Sequence, residues 1–173
     1  MIITQKELLR ASLSERSAND YLLKRPSGIP VIHILHSFED FRLVEGMINH
    51  LKRANIDAYF QWESGYDLSL LQSNVAVNEK AQIVGAQAVI LLATFKSLQD
   101  EKVRDNLSFA RSAQKRVYVF PTVNDDEIYG ESLYPEFPVL YMEERTMGGA
   151  LNLKVKKPDQ KNFLRLITSA RML

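Results

Sequence analysis

The sequence predicts an α/β fold: three layers around a central five-stranded parallel sheet, with a helical extension before it. Three observations carry this. The apolar run Val31-Ile32-His33-Ile34-Leu35-His36 stops at Ser37, a helical pattern with early acids follows at once, and a second strand comes at Ala58-Tyr59-Phe60-Gln61-Trp62. The stretch Gln87-Ala88-Val89-Ile90-Leu91-Leu92-Ala93-Thr94 is apolar almost without break, as in a parallel strand covered on both faces. Strand-like and helix-like segments alternate, which favours a sheet with helices on both sides.

Taken in order, residues 4–24 place Leu8, Leu9, Leu13, Leu22 and Leu23 among good helix formers, and Pro26-Ser27-Gly28 end the pattern. We read residues 1–28 as a helical extension and 29–173 as the main domain. Residues 30–36 form the first strand. In residues 39–54, Phe41, Val44, Met47, Ile48 and Leu51 recur at helical spacing. Asp40 lies near the start of this helix and Lys52-Arg53 at its end, both suiting the dipole, and Asn55 suits a left-handed close. Residues 57–61 are strand two, and Glu63-Ser64-Gly65-Tyr66-Asp67 a loop in which Gly65 is free to take positive φ.

Residues 75–85 read as a helix, 87–94 as strand three, and 99–113 as a helix burying Val103, Leu107, Phe109 and Ala110. Strand four is 116–121, Val139-Leu140-Tyr141 a short fifth, and 159–170 a closing helix. In the flavodoxin-like order 2-1-3-4-5 the direction of winding switches between strands one and three. A ligand crevice there would be lined by Ser37-Phe38, Trp62 and Thr94-Phe95-Lys96.

Composition narrows the function classes. The chain has 173 residues, 46% hydrophobic and 25% charged, as expected of one globular domain. With 22 basic and 21 acidic residues, a net charge of +1 gives no bulk indication of a nucleic-acid partner. The absence of cysteine excludes disulfides, thiol nucleophiles and Cys-type metal sites. No apolar run approaches about 18 residues, and the first residues lack a signal peptide's apolar segment, so a soluble cytoplasmic protein is the expectation.

Several chemistries known on such folds are absent from the residues. A phosphoacceptor site wants an aspartate ending strand three, where Thr94 stands. A flavin phosphate loop wants glycine in Ser37-Phe38-Glu39-Asp40, and no Gly-x-Gly-x-x-Gly or Walker sequence occurs. His33 and His36, three apart in a strand, face opposite sides, and His50 falls late in a helix, so no metal site is expected. Gly148-Gly149 reads as a turn, and Asp125-Asp126-Glu127 with Glu131 as a solvated loop or helix start. Ser37 is placed to cap the following helix, which is compatible with anion contact. Trp62 is either a core residue at the rim or a stacking surface for a planar ring.

The segment from Val31 to Phe120 resembles the TIR (Toll/interleukin-1 receptor) domain family of the bacterial kind. His36-Ser37-Phe38-Glu39-Asp40 with Leu43-Val44 is similar to its first box, and Ala58–Trp62 to its second strand before the BB loop. Ala88–Thr94 followed by Ser97 is similar to the third strand and its serine. Val103-Arg104-Asp105-Asn106-Leu107 falls on the family's Trp-x-x-Glu-Leu segment, and Arg116–Pro121 on the next strand.

The resemblance implies either cleavage or cyclisation of NAD, tied in bacterial members to antiphage defence, or self-association in signalling. It implies a nucleotide site at Ser37, Phe38, Trp62, Thr94 and Ser97. It also implies a catalytic position whose glutamate, which steadies the oxocarbenium-like transition state, is here Asn106, while the tryptophan is Val103. An amide carries no charge to offset a developing cation, and losing such a group costs on the order of 3 kcal/mol. The expectation is therefore a catalytically weak or inactive TIR-like module that binds a nucleotide or acts as a scaffold, with a second copy or another TIR protein as partner. The alternative is an NAD-cleaving enzyme completed in an assembly. Both place side chains 37, 62 and 106 around one hollow.

Overall fold

A computed structural model describes residues 1–14, 28–54, 56, 58–62, 79–130, 132–144, 151–158 and 164–165. The expected loop at 63–67, the turn at Asn55, the leucines at 22 and 23, Glu131 and the Gly148-Gly149 turn lie outside the described residues.

Within them a mixed sheet is built from β1 (Ile3–Thr4), β2 (Val31–Leu35), β3 (Tyr59–Gln61), β4 (Ala88–Ala93), β5 (Arg116–Asn124), β6 (Glu127–Tyr129), β7 (Val139–Glu144), β8 (Leu151–Lys156) and β9 (Leu164–Arg165). The helices are α1 (Gln5–Ser14), α2 (Phe41–Arg53), α3 (Glu79–Gly85), α4 (Phe95–Gln99) and α5 (Glu101–Ser112). The main path runs β3-β2-β4-β5-β7-β8-β9, and β1 and β6 also pair with β5. Strands β3, β2, β4, β5 and β7 are parallel neighbours, whereas β8, β9 and β6 are antiparallel.

Every residue of β2 and β4 is buried, as their unbroken apolar sequences require. One face of the sheet carries Ile32, Ile34, Phe60, Ile90, Leu92 and Phe120 beneath α1 and α2; the other carries Leu35, Val89, Leu91, Val117 and Val119 beneath α3 and α5. Helices thus cover both faces.

Three expectations are corrected. The sheet is not confined to five parallel strands: among the described residues it has nine, with antiparallel strands added to a parallel centre. The missed β8 has the alternation Leu151-Asn152-Leu153-Lys154-Val155-Lys156, which suits an antiparallel strand with one wet face; Leu153 and Val155 are buried. Of the helix expected over 159–170 only Leu164–Arg165 lie within the described residues, and these are strand, paired to β8. The helix expected over 99–113 is α5, which begins two residues later because Asp100 adopts an extended conformation (φ −75°, ψ 112°) and caps it through Lys102 N–H and Val103 N–H, while Gln99 ends the short α4, which was not expected.

The first residues do not stand apart from the domain. Leu8 is fully buried with Val44 and Met47, Asn49 Nδ2 donates to Ala11 O at 2.9 Å, and Gln5 Nε2 donates to Thr122 Oγ1 at 3.1 Å. Gly46 admits this packing: a Cβ there would lie 2.0 Å from the Leu8 carbonyl oxygen. Thr122 pairs with Ile3 of β1 and with Tyr129 of β6, so those strands lie on opposite edges of β5, beyond the point where β4 ends opposite Pro121.

Candidate functional site

The switch in winding falls between the ends of β2 and β4, and the side chains there bond to one another. Beyond β2, Ser37 precedes a single 3-10 turn (Phe38–Asp40) that leads into α2. Beyond β4, Thr94 is the N-cap of α4. Its Oγ1 accepts from Ser97 N–H at 3.0 Å, while Thr94 N–H donates to Ser97 Oγ at 2.9 Å, a reciprocal capping box. The Thr94 hydroxyl then donates to Asp40 Oδ2 at 2.5 Å and spans the two strand ends.

Asp40 is 4% exposed, and burial raises its carboxyl pKa, outweighing the opposing effects of the Thr94 hydroxyl and Lys96. Outside this bond, Glu39 and Lys96 form an exposed ion pair at 2.5 Å, and the hydrogen bond that Lys96 donates to that carboxylate raises the Lys96 pKa.

A second polar cluster lies on the face covered by α3 and α5. Asn106 is 5% exposed, on the inward side of α5 with Val103, Leu107 and Ala110. Its Nδ2 donates to Glu79 Oε2 at 2.7 Å. Lys102 Nζ lies 3.2 Å from the same oxygen, and the fully buried His33 brings Nε2 to 3.4 Å from Glu79 Oε1. Burial pushes the Glu79 pKa up, but hydrogen bonds from His33 and Lys102 and their charges outweigh it, and the net shift is downward. Glu79 is therefore an ionised carboxylate beside the position where the family resemblance puts one. Lys115 supports α3 from below, its Nζ donating to Val84 O at 2.5 Å and Ala86 O at 2.9 Å.

The expected site residues divide among three places. Ser37, Thr94 and Ser97 are together and buried at the strand ends, and Phe38 is 44% exposed beside them. Ser37 occupies the cap position but makes no side-chain cap bond. Trp62 packs against the cluster beneath α1 and α2, whereas Asn106 lies on the inward side of α5, which covers the opposite face. Sequence reasoning missed Asp40 as a buried partner of Thr94, and Glu79 altogether. Glu79 had a readable signal only in its place within the helical pattern of residues 75–85.

Among the described residues no His/Asp/Glu group is arranged to hold a metal ion, and no helix is long and apolar enough to cross a membrane. Compared with protein-family models and with curated proteins, the chain matches none.

Proposed function

We propose that this chain is a TIR-like module of the bacterial immune or signalling type that acts by association and does not turn over NAD. The reading rests on the sequence resemblance. The observation that carries the loss of chemistry is the bond from Asn106 Nδ2 to Glu79 at 2.7 Å. Position 106 holds a neutral amide engaged in tying α5 to α3, where NAD cleavage would want a free negative charge. The Asp40–Thr94 bond supports the same reading, since it takes up the hydroxyl and carboxylate at the strand ends where an open α/β sheet would hold a ligand.

Incubating the purified protein with NAD and following free nicotinamide tests this directly; no release above a buffer control is expected. A flat Trp62 fluorescence titration with ADP-ribose would remove nucleotide binding near that ring and leave a scaffold. One observation favours the NAD-cleaving alternative: Glu79 is an ionised carboxylate in contact with Asn106. Nicotinamide release that disappears in Glu79→Gln would replace the first reading with this one.

A further inference from the structure

Helix α1 packs on α2 with one side only. Leu8 and Ala11, both buried, lie about 60° apart around its axis. Centred on the opposite side, within an arc of about 100°, stand Lys6, Leu9, Arg10 and Leu13. All four are exposed, Leu13 to 76%. Helix α2 adds to this face. Gly46 meets the Leu8 carbonyl and Asn49 donates to Ala11 O, so these two mark the ridge on which α1 rests. Arg42 and Arg53 fall with them in an arc of about 60°, one toward each end of the ridge, and both are exposed. Four cations therefore stand around two open leucines. The neighbouring acids are engaged: the Glu7 carboxylate accepts from Thr4 N–H and Thr4 Oγ1 at 2.8 and 2.7 Å, and the Arg42 charge acts on partly buried Glu45. In a chain whose net charge is only +1, this is a local surplus.

We propose that this face rests on an anionic lipid surface, an inference independent of the reading of the protein as a TIR-like module. Leu9 and Leu13 enter the boundary between headgroups and acyl chains, and Lys6, Arg10, Arg42 and Arg53 meet the negative headgroups. The argument is charge complementarity joined to open apolar side chains. A nucleic acid would use the cations and leave the leucines in water, whereas a neutral bilayer would use the leucines alone. Alternation of leucine and cation along one side is the composition of a helix that lies in a membrane interface. At 10 residues α1 is too short to span a bilayer and lies along its surface. Because α1 is already folded against α2, no helix has to be ordered on docking. Two leucines and four charges give a reversible attachment that depends on lipid charge and on salt.

Flotation of the full chain with vesicles tests this. With phosphatidylcholine vesicles containing roughly 30% phosphatidylserine, at about 0.1 M salt, the protein should float with the lipid. It should stay behind with pure phosphatidylcholine, and leave the anionic vesicles at about 0.5 M salt. The double variant Lys6→Glu, Arg10→Glu and the double variant Leu9→Ser, Leu13→Ser should each weaken binding by about tenfold or more. All four positions are exposed, and unchanged circular dichroism and Tm would confirm that these variants fold. Arg42→Gln with Arg53→Gln, on the other helix, provides a second charge test and should also weaken binding. Failure of the wild type to float with anionic vesicles, or equal binding to neutral ones, would overturn the proposal. So would binding that none of the variants changes. Sensitivity to the charge variants without any to the leucine variant would overturn it in favour of a plain polyanion surface, on which duplex DNA would then compete with the vesicles.

Discussion

The amide at position 106 hydrogen-bonds a carboxylate across a buried gap, so a second carboxylate placed there would meet like charge instead of an empty site. Asn106→Glu, which places there the residue that the TIR resemblance implies, is therefore expected to destabilise the protein by about 2–4 kcal/mol in urea unfolding. Combining it with Glu79→Gln exchanges acid and amide, and the double variant should recover to within about 1 kcal/mol of wild type. At the strand ends, Thr94→Val removes both the helix cap and the donor to buried Asp40, and a loss of about 2–3 kcal/mol is expected. Thr94→Ser keeps the hydroxyl and should retain most of that stability. The sequence showed Thr94 and Ser97 as hydroxyls after a strand, but not that they face each other and Asp40 rather than a ligand. That partnership depends on two strands 50-odd positions apart becoming neighbours.

At the scale of elements, α1 and α2 meet at a backbone approach that only glycine allows. Gly46→Ala would drive a Cβ into the Leu8 carbonyl, and a loss of about 3 kcal/mol is expected, comparable with that of Leu8→Ala. Hydrogen exchange in both variants should rise first in α1. The central strands were legible because their apolar runs have no other use, and α2 because its buried residues recur at helical spacing. The first helix was legible as a helix but not as core. Of Leu8, Leu9 and Leu13, only Leu8 is buried, while Leu9 and Leu13 are 42% and 76% exposed. Apolar count alone does not say which side packs. The short α4 and the cap at Asp100 were missed because good helix formers flank Asp100, and a cap is decided by one backbone conformation.

Across the whole molecule, one buried and one partly buried carboxylate give pH dependences of opposite sign. The Glu79 pKa is lowered in the fold, so its contribution is present above the ordinary value of 4.5 and is lost as pH falls through the lower folded value. The Tm deficit of Glu79→Gln should accordingly be largest near about pH 7 and shrink toward about pH 3. The Asp40 pKa is raised, so its protonated form suits the fold and ionisation costs stability as pH rises from 3.8 through the folded value. Asp40→Asn keeps an acceptor for Thr94 and should gain in Tm relative to wild type near about pH 7, with the gain fading near about pH 3. The α/β class and the central parallel strands could be read from periodicity. The antiparallel additions, and the bonds Thr94–Asp40 and Asn106–Glu79, could not, because both depend on which distant segments pair. Thr122 shows what such pairing demands in time: it joins Ile3 on one side and Tyr129 on the other. On the ribosome the stretch around Ile3 emerges early yet has no partner until more than a hundred further residues are made. Its strand is therefore stitched in among the last, and a bulky fusion at that end should slow the final step of maturation more than it lowers equilibrium stability.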